Sequence, residues 1–521
     1  SLIILNKDLQ IDFQEKYTGY DCIDRFLESL QKIDERYSLI LNQIEPMQFT
    51  QLDLEDFNKS NICHICEEQI SQITQTKVRD HCHLTSKYLG PAHNECNLKR
   101  QEKKYIPFFC HNLSGYDGHF IIKALKYNNF KNISAIPYNT EKFRNIKLDN
   151  IILLDSFSFL SASLNELMTN LLQNKNHEFK ILDQMKLYPE NSDEAKQLIL
   201  RKGVYCYEFA TSLDILENTK EIPPKKEFYS KLMNTNIQDE EYEHAKKVFT
   251  KFNCKNLKEY SELYCQTDVG ILAEIFIQFR KIIKNNFDLD CCYYISTPQL
   301  DFDCMLKTTK VKIELLTDID QILFFEQNIR GGVSFINQRH FEVKDSINED
   351  ILYIDANNLY GLAQSLNLPI SNFTWLSEQE IKEININDLK ENDQYGYVFE
   401  VDLHYPQELH EIHNSFPLAP ETMKITEKML SPHSLQNYKD IYKKNKYNAT
   451  KLCTTFLDRK NYVVHYMNLK TYLNLGMKLI KIHRILKFKQ NKFLKKYIIQ
   501  CTDLRKESKS IFEKNLWKLF S

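Results

Sequence analysis

The seven residues from Asp24 to Leu30 space their apolar side chains at helical intervals, and residues 1–60 read as mainly helical. Residues 61–100 break that rhythm with a dense set of Cys and His. From Tyr105 onward, short apolar runs alternate with longer amphipathic stretches. Ile106–Phe109, Ile151–Leu154 and Gly203–Tyr207 are predicted strands, and Gly118–Tyr127, Ser163–Leu172 and Leu257–Asn285 predicted helices. Such alternation predicts a mixed α/β (α+β) fold, a sheet covered by helices. Asp350–Tyr360 and Tyr395–Tyr405 are predicted strands of a second sheet, and beyond Lys439 the chain is expected to turn helical and basic. There is no internal repeat or low-complexity tract.

A chain of 521 residues is long enough for two to four domains. Hydrophobic content of 42% and charged content of 26% are those of a soluble globular protein. No run approaches the roughly 18 apolar residues of a transmembrane helix, and no secretory signal is visible, so no membrane association is expected. The 14 cysteines lie mostly singly in apolar surroundings, the pattern of reduced thiols in an intracellular, non-secreted protein. The net charge of -2 conceals a polarity. Residues 1–60 hold twelve acids against six Lys/Arg, whereas residues 481–521 hold twelve Lys/Arg against three acids. That basic end, interleaved with Phe488, Phe493, Tyr497 and Trp517, is a candidate phosphate-tracking surface, or a solvated Lys face on helices.

Cys63-x2-Cys66 and His93-x2-Cys96 are two ligand pairs at the spacing of a tetrahedral structural zinc site. Between them runs Val78-Arg79-Asp80-His81-Cys82-His83, and Asn97 follows the last ligand. This stretch resembles the ββα-metal fold of recombination endonuclease VII and other HNH nucleases. The resemblance implies that Asp80 and Asn97 hold one Mg²⁺, that His81 is the general base and that His83 is an accessory. Such inserts also persist as DNA-gripping or structural knots, and both readings stay open.

His111-Asn112-Leu113-Ser114-Gly115-Tyr116-Asp117 resembles the second 3′–5′ exonuclease motif of family B DNA polymerases, and Tyr264-x3-Asp268 resembles the third. Asp117 and Asp268 would then bind metal, Asn112 would touch a primer terminus, and Tyr264 would orient the attacking water. Ser163-Leu164 is similar to a single-strand contact of the protein-primed branch, and Lys202-Gly203 to its exonuclease lysine. An Asp-x-Glu strand, the family's first motif, is expected upstream of Ser1, so proofreading is expected to be impaired. Asp53-Leu54-Glu55 has the letters but is expected in an exposed polar turn, and Asp155 is read as a structural acid.

Tyr353-Ile-Asp355-Ala-Asn-Asn-Leu-Tyr360-Gly361 resembles the first carboxylate motif of the family B palm, with Asp355 a metal ligand and Tyr360 at the nucleotide sugar. Arg330-Gly331-Gly332 resembles the loop coupling exonuclease and polymerase through template contact. Lys518 falls at the start of the next motif, where it would meet the incoming triphosphate, with Arg505 or Lys506 sharing that task. Together with Phe416-Pro-Leu-Ala-Pro and Tyr462-Val-Val-His465-Tyr, these stretches are similar to the protein-primed polymerases of Polinton/Maverick elements and adintovirus-like viruses.

The resemblance implies an incomplete polymerase. Residues 1–60 would be a helical remnant, 61–100 the zinc insert, and 101–290 a ribonuclease-H-like exonuclease domain. Residues 291–345 would form a connector, 346–440 a partial palm, and 441–521 a basic helical region contacting a terminal protein and starting the fingers. It implies Mg²⁺ or Mn²⁺ and structural Zn²⁺ as cofactors, and template-primer DNA, dNTP and a terminal priming protein as partners of a monomer. The second palm carboxylate, on an Asp-Thr-Asp hairpin, is nowhere in the sequence, so this chain alone is expected not to extend a primer. Two competing functions are an HNH-type endonuclease and a non-catalytic DNA- or terminal-protein-binding remnant of a mobile element.

Overall fold

A computed structural model describes every residue except 72–75, 84, 101–104, 128, 175–176, 189–191, 337–339, 443–448 and 521, and omits the side chains of Tyr127 and Tyr442. The first residues of the expected terminal-protein region, 443–448, therefore lie outside the described residues. The chain divides into two compact units, Ser1–Lys307 with Asp503–Phe520, and Thr308–Thr502.

Among the described residues the first unit holds eight strands: β1 (Leu2–Leu5), β2 (Ile11–Glu15), β3 (Lys77–His81), β4 (Tyr88–His93), β5 (Ile106–Cys110), β6 (Ile133–Pro137), β7 (Phe143–Leu148) and β8 (Ile151–Asp155). The order β5-β8-β7-β6 makes a mixed sheet in which β5 and β8 run parallel and the other pairs antiparallel. Ile151, Leu153 and Leu154 are fully buried, as a central strand covered on both faces requires. Ile146, Ile151 and Leu153 share one core with Leu27, Leu30 and Ile33 of helix Cys22–Asn42. On β5, the next residue after Phe108 of that core, Phe109, packs instead on Phe276 of helix Leu257–Phe287. That helix buries Ile271, Ile275, Phe279 and Ile283, one per turn, and Asn256 caps its start by accepting from the Glu259 amide. Each such aliphatic side chain contributes roughly 1.5–3 kcal/mol on burial.

The second unit is organised by β9 (Leu368–Trp375), β10 (Tyr395–His404), β11 (Glu421–Ile425), β12 (Ala449–Cys453), β13 (Arg459–His465) and β14 (Lys478–Asn491). The order β13-β10-β14-β9 is wholly antiparallel, and β11-β12 form a separate hairpin. Phe399, Val401 and Ile485 pack with Leu469 of helix Tyr466–Asn474. Val398, Leu486 and Phe488 face Phe324 of helix Ile319–Glu326 and Trp375.

Several expected elements are corrected. Residues 1–15 form the β1-β2 hairpin, not helix, because Ile11-Asp-Phe-Gln-Glu15 alternates with period two. Gly203–Tyr207 is not a strand: residues 203–206 have no regular structure, Tyr207 begins a turn, and the stretch joins no sheet among the described residues. Asp53 lies in helix Gln51–Lys59 as half of a capping box with Thr50, not in a turn. The stretch expected as a connector carries helices Thr297–Thr309 and Ile319–Glu326. Residues 459–465 and 478–491, expected helical, are sheet strands beside β10. The strand expected at Asp350–Tyr360 does not form: residues 351–356 have no regular structure, and helix Leu359–Gln364 follows.

Candidate functional site

At the end of β5 the chain turns through Asn112, which adopts a left-handed φ of 64°, and enters helix Asp117–Ala124. Asp155, 2% exposed, holds this turn: its carboxylate accepts the amides of Asn112 at 2.8 Å, Ser114 at 2.9 Å and Phe157 at 3.0 Å. It is the structural acid expected, and it aims Asp117 by fixing the backbone before it.

Asp117, Lys202, Tyr264 and Asp268, widely separated in sequence, line one cleft of about 600 Å³. Burial, then the nearby Asp155, raises the Asp117 carboxyl above its usual range. Burial likewise lifts Asp268 to about 6, opposed by the charge of Lys202 and a hydrogen bond from Tyr264. Asp268 Oδ1 is buried without a hydrogen-bond partner among the described residues. Asp117 and Asp268, half-buried and lining one cleft beside Lys202, are candidate ligands for a divalent cation, but with Glu15 they do not close into a three-ligand cluster among the described residues. Burial, then Asp268, pushes the Tyr264 phenol upward. Its ring lies against Gly203, where an added Cβ would meet Cδ2 at 2.5 Å, so residue 203 must be glycine for this approach.

The other expected contacts divide. Asn112 is exposed beside the cleft. Ser163 caps helix Leu164–Leu172, accepting from Glu166 at 3.2 Å, and Leu164 is a buried wall of the cleft. Three residues without an assigned role belong to the cleft region. Tyr207 hydrogen-bonds the Tyr264 hydroxyl. His111 lines the cleft with Nδ1 3.1 Å from Ser156 Oγ. Glu15 supplies a third carboxylate, accepting from Ser29 Oγ at 2.6 Å. Period two over β2 is the signal that could have placed Glu15; nothing local in the sequence marks Tyr207.

The Cys/His stretch closes into a knot of β3, β4 and helix Asn94–Lys99. The ligand atoms of Cys63, Cys66, His93 and Cys96 all lie within 4.8 Å of one another. His93 Nδ1 is 3.4 Å from Cys66 Sγ and 3.6 Å from Cys96 Sγ, close to the edge of about 3.5–3.8 Å for a zinc tetrahedron. Burial opposes ionisation of Cys63, but the amides of Cys66, His93 and Ile65 bring it down to about 6, toward the thiolate a metal binds. These four residues fit zinc. Asp80 does not present a free carboxylate: it is 5% exposed, its Oδ2 lies 2.8 Å from His64 Nε2, and Arg100 donates to the same oxygen. His81 and His83 are half-buried neighbours with rings 4.9 Å apart, and Asn97 is half-buried on the following helix. A second cluster, Asp290-Cys291-Cys292, is closed to a cation, because Arg280 grips Asp290 at 2.9 and 2.6 Å.

In the second unit, Asp355 and Tyr360 lie on an exposed segment; Leu352, Tyr353, Ile354 and Tyr360 are 79%, 95%, 83% and 78% exposed. No acidic cluster of three or more metal-ligating groups includes Asp355 among the described residues. An apolar run becomes a strand only when a neighbour takes its amides and carbonyls, and no strand among the described residues does so here. Arg330 is engaged within its unit, stacked 4.1 Å from the Tyr462 ring centroid and donating to the Val463 carbonyl at 2.7 Å. Gly331 and Gly332 are exposed, with open space at both Cβ positions. Arg505, Lys506 and Lys518, residues of the first unit, are exposed on helices Lys495–Glu507 and Ile511–Leu519. No described helix is long and apolar enough to cross a membrane.

A family model described as DNA polymerase type B, organellar and viral, matches residues 96–521. No match is found among curated proteins. Solved structures with similarity include phi29 DNA polymerase in an orthorhombic crystal form, at 14% identity and TM-score 0.40, covering 80% of this chain and 58% of that one. The phi29 DNA polymerase ternary complex with primer-template DNA and incoming nucleotide has 14% identity and TM-score 0.41, covering 80% and 57%. Its complex with single-stranded DNA has 15% identity and TM-score 0.39, again covering 80% and 57%. The chain thus spans less than two thirds of the length of these polymerases. With four-fifths of its residues matched by the family model, the chain belongs to the type B DNA polymerases of the organellar and viral family.

Proposed function

We propose that this chain serves protein-primed DNA replication, and that the cleft of its first unit receives the 3′ end of a DNA strand as a 3′–5′ exonuclease-type site. The observation that carries this reading is the convergence of Asp117, Lys202, Tyr264 and Asp268 on one cleft in a chain of a DNA polymerase family. Asp117 and Asp268 would hold a divalent cation, which when bound supplies charge for the phosphate and acidifies a water. Lys202 offers a fixed positive charge to the same phosphate. Tyr264, tied to Tyr207, offers a hydroxyl one helical turn from Asp268, where it orients a water or a terminal sugar. Glu15 lines the same cleft but does not cluster with Asp117 and Asp268 among the described residues, so two carboxylates carry the ion and hydrolysis is slow. The test is stepwise release of 3′ nucleotides from end-labelled single-stranded DNA with Mn²⁺. Slow release that disappears in Asp268→Asn is expected; release indifferent to Asp268, or none at all, overturns the reading.

Asp355 and Tyr360 would serve nucleotide incorporation, with Arg505, Lys506 and Lys518 on the triphosphate and a terminal protein as primer. Asp355 is exposed and belongs to no cluster of three or more metal-ligating groups among the described residues, which supports the expectation that the chain by itself does not extend a primer. Template-directed incorporation by the purified chain would contradict it.

For the knot, the β3-β4-helix order supports the HNH-type reading, but the closure of Asp80 by Arg100 and His64 favours a zinc-held structural or DNA-gripping role. Zinc retained at one ion per chain with no cleavage of duplex DNA is expected. Mg²⁺-dependent cutting lost in His81→Ala would instead establish the nuclease.

A further inference from the structure

Tyr264 forms a wall of the cleft and, with Gly203, also of a second cavity of about 20 Å³. Two atoms from residues lining that small cavity are buried without a hydrogen-bond partner among the described residues. One is His244 Nε2, on helix Asp239–Lys251, and the other is Thr267 Oγ1, on helix Leu257–Phe287. Thr267 is only 3% exposed. A threonine inside a helix commonly returns its hydroxyl to a carbonyl one turn earlier, and this one does not. Buried polar atoms are nearly always satisfied, and those that are not mark a bound water or ion.

Size and chemistry choose between these. A single water needs roughly 10–15 Å³ of such volume, which this cavity exceeds without approaching the size of an organic ligand. The hydroxyls of the lining residues Tyr260 and Tyr264 are taken by the Val204 carbonyl and by Tyr207, which leaves one imidazole, the Thr267 hydroxyl and Arg201, whose guanidinium pairs with Glu241 at 2.5 Å, and no carboxylate or thiolate. That set repels a cation and suits a neutral molecule that both donates and accepts. Water serves either tautomer of His244.

We propose that one ordered water bridges His244 Nε2 and Thr267 Oγ1 behind the Tyr264 ring, making His244 and Thr267 positioning residues for Tyr264. The ring is then confined by Gly203 on one contact, by the Tyr205 ring with centroids 5.0 Å apart, and by the hydrated cavity. Tyr264 keeps its hydroxyl on Tyr207 only while its ring stays seated. The bridge explains why a histidine far from the cleft motifs in sequence lies behind their tyrosine.

The consequence for turnover rests on the nuclease reading of the cleft; the water itself does not. In a crystal structure of the full chain that resolves ordered solvent, one water is expected within hydrogen-bond distance of both atoms, and absent in Thr267→Val. A dry cavity, or a direct His244–Thr267 bond, overturns the proposal. In thermal unfolding, His244→Leu and Thr267→Val are expected to be non-additive, because either one removes the same bridge; full additivity counts against it. For release of 3′ nucleotides, Thr267→Val is expected to lower kcat about tenfold with KM unchanged, and Thr267→Ser to restore it. Unchanged kcat in Thr267→Val removes the positioning role. If the wild type releases nothing, the nuclease reading fails, while the crystal structure and the unfolding cycle still decide the bridge.

Discussion

Two acids in this chain follow apolar runs that look alike in sequence, and the fold treats them in opposite ways. Asp155 ends β8, is buried, and receives three backbone amides. Asp355 ends Ile351–Ile354, which joins no sheet and exposes its apolar side chains to solvent. The difference is the neighbour. Ile151–Asp155 has β5 on one side and β7 on the other, whereas Ile351–Asp355 has no strand beside it among the described residues. An apolar run ending on an acid is therefore evidence of a strand that needs partners, and only the partners decide whether the acid becomes part of a site.

Substitution of the two acids is the strongest way to break that comparison. Asp155→Ala leaves three backbone amides without their acceptor and is expected to cost about 3–5 kcal/mol in chemical unfolding, with loss of the turn before Asp117. Asp355→Ala, on an exposed segment, is expected to change stability by less than about 0.5 kcal/mol. Comparable losses would show that the Asp355 segment is packed in solution. The glycines sharpen the contrast at smaller scale. Gly203→Ala drives a Cβ into the Tyr264 ring and is expected to cost up to about 3 kcal/mol, whereas Gly331→Ala meets open space and is expected to be nearly neutral. Equal thermal shifts in the two variants would contradict the packing described for Tyr264.

The smallest effect is one of pH. Asp268 rises from an ordinary 3.8 to about 6 in the folded chain, so the folded form holds its proton more tightly than the unfolded one. That contribution favours folding fully below about pH 4 and is lost as the pH rises through 6, to the extent of about 2 kcal/mol for a partly exposed group. Unfolding of metal-free protein across this range should show the loss, Asp268→Asn should abolish it, and Mn²⁺ should reverse it. A stability of the wild type that does not fall relative to Asp268→Asn over that range contradicts the burial assigned to this carboxylate.

Much of the first unit was legible because its signals are local. The apolar runs at Ile106–Phe109 and Ile151–Leu154 became β5 and β8, the long apolar helix beginning at Leu257 formed with its Asn256 cap, and the four zinc-type ligands converged. The partners of the cleft were legible as motifs, and the alternation of β2 could have placed Glu15, but Tyr207 reaches Tyr264 through a long-range contact that no local spacing encodes. β14 does not read as a strand because both faces of its sheet are covered, Ile485 in the core with Leu469 and Leu486 in the core with Phe324, so its apolar and basic residues do not alternate strictly. The bonding of Asp80 to His64 and Arg100 was likewise hidden, since it spans the whole knot.

We propose a cation site on Asp117 and Asp268 of the first unit and none on Asp355. Binding of Mn²⁺ to the zinc-loaded chain, followed by the paramagnetic signal of the free ion, tests it most directly. Wild type and Asp355→Asn are expected to bind Mn²⁺ alike, and Asp268→Asn to lose at least about 100-fold in affinity. Full binding by Asp268→Asn, or an equal loss in Asp355→Asn, contradicts the account.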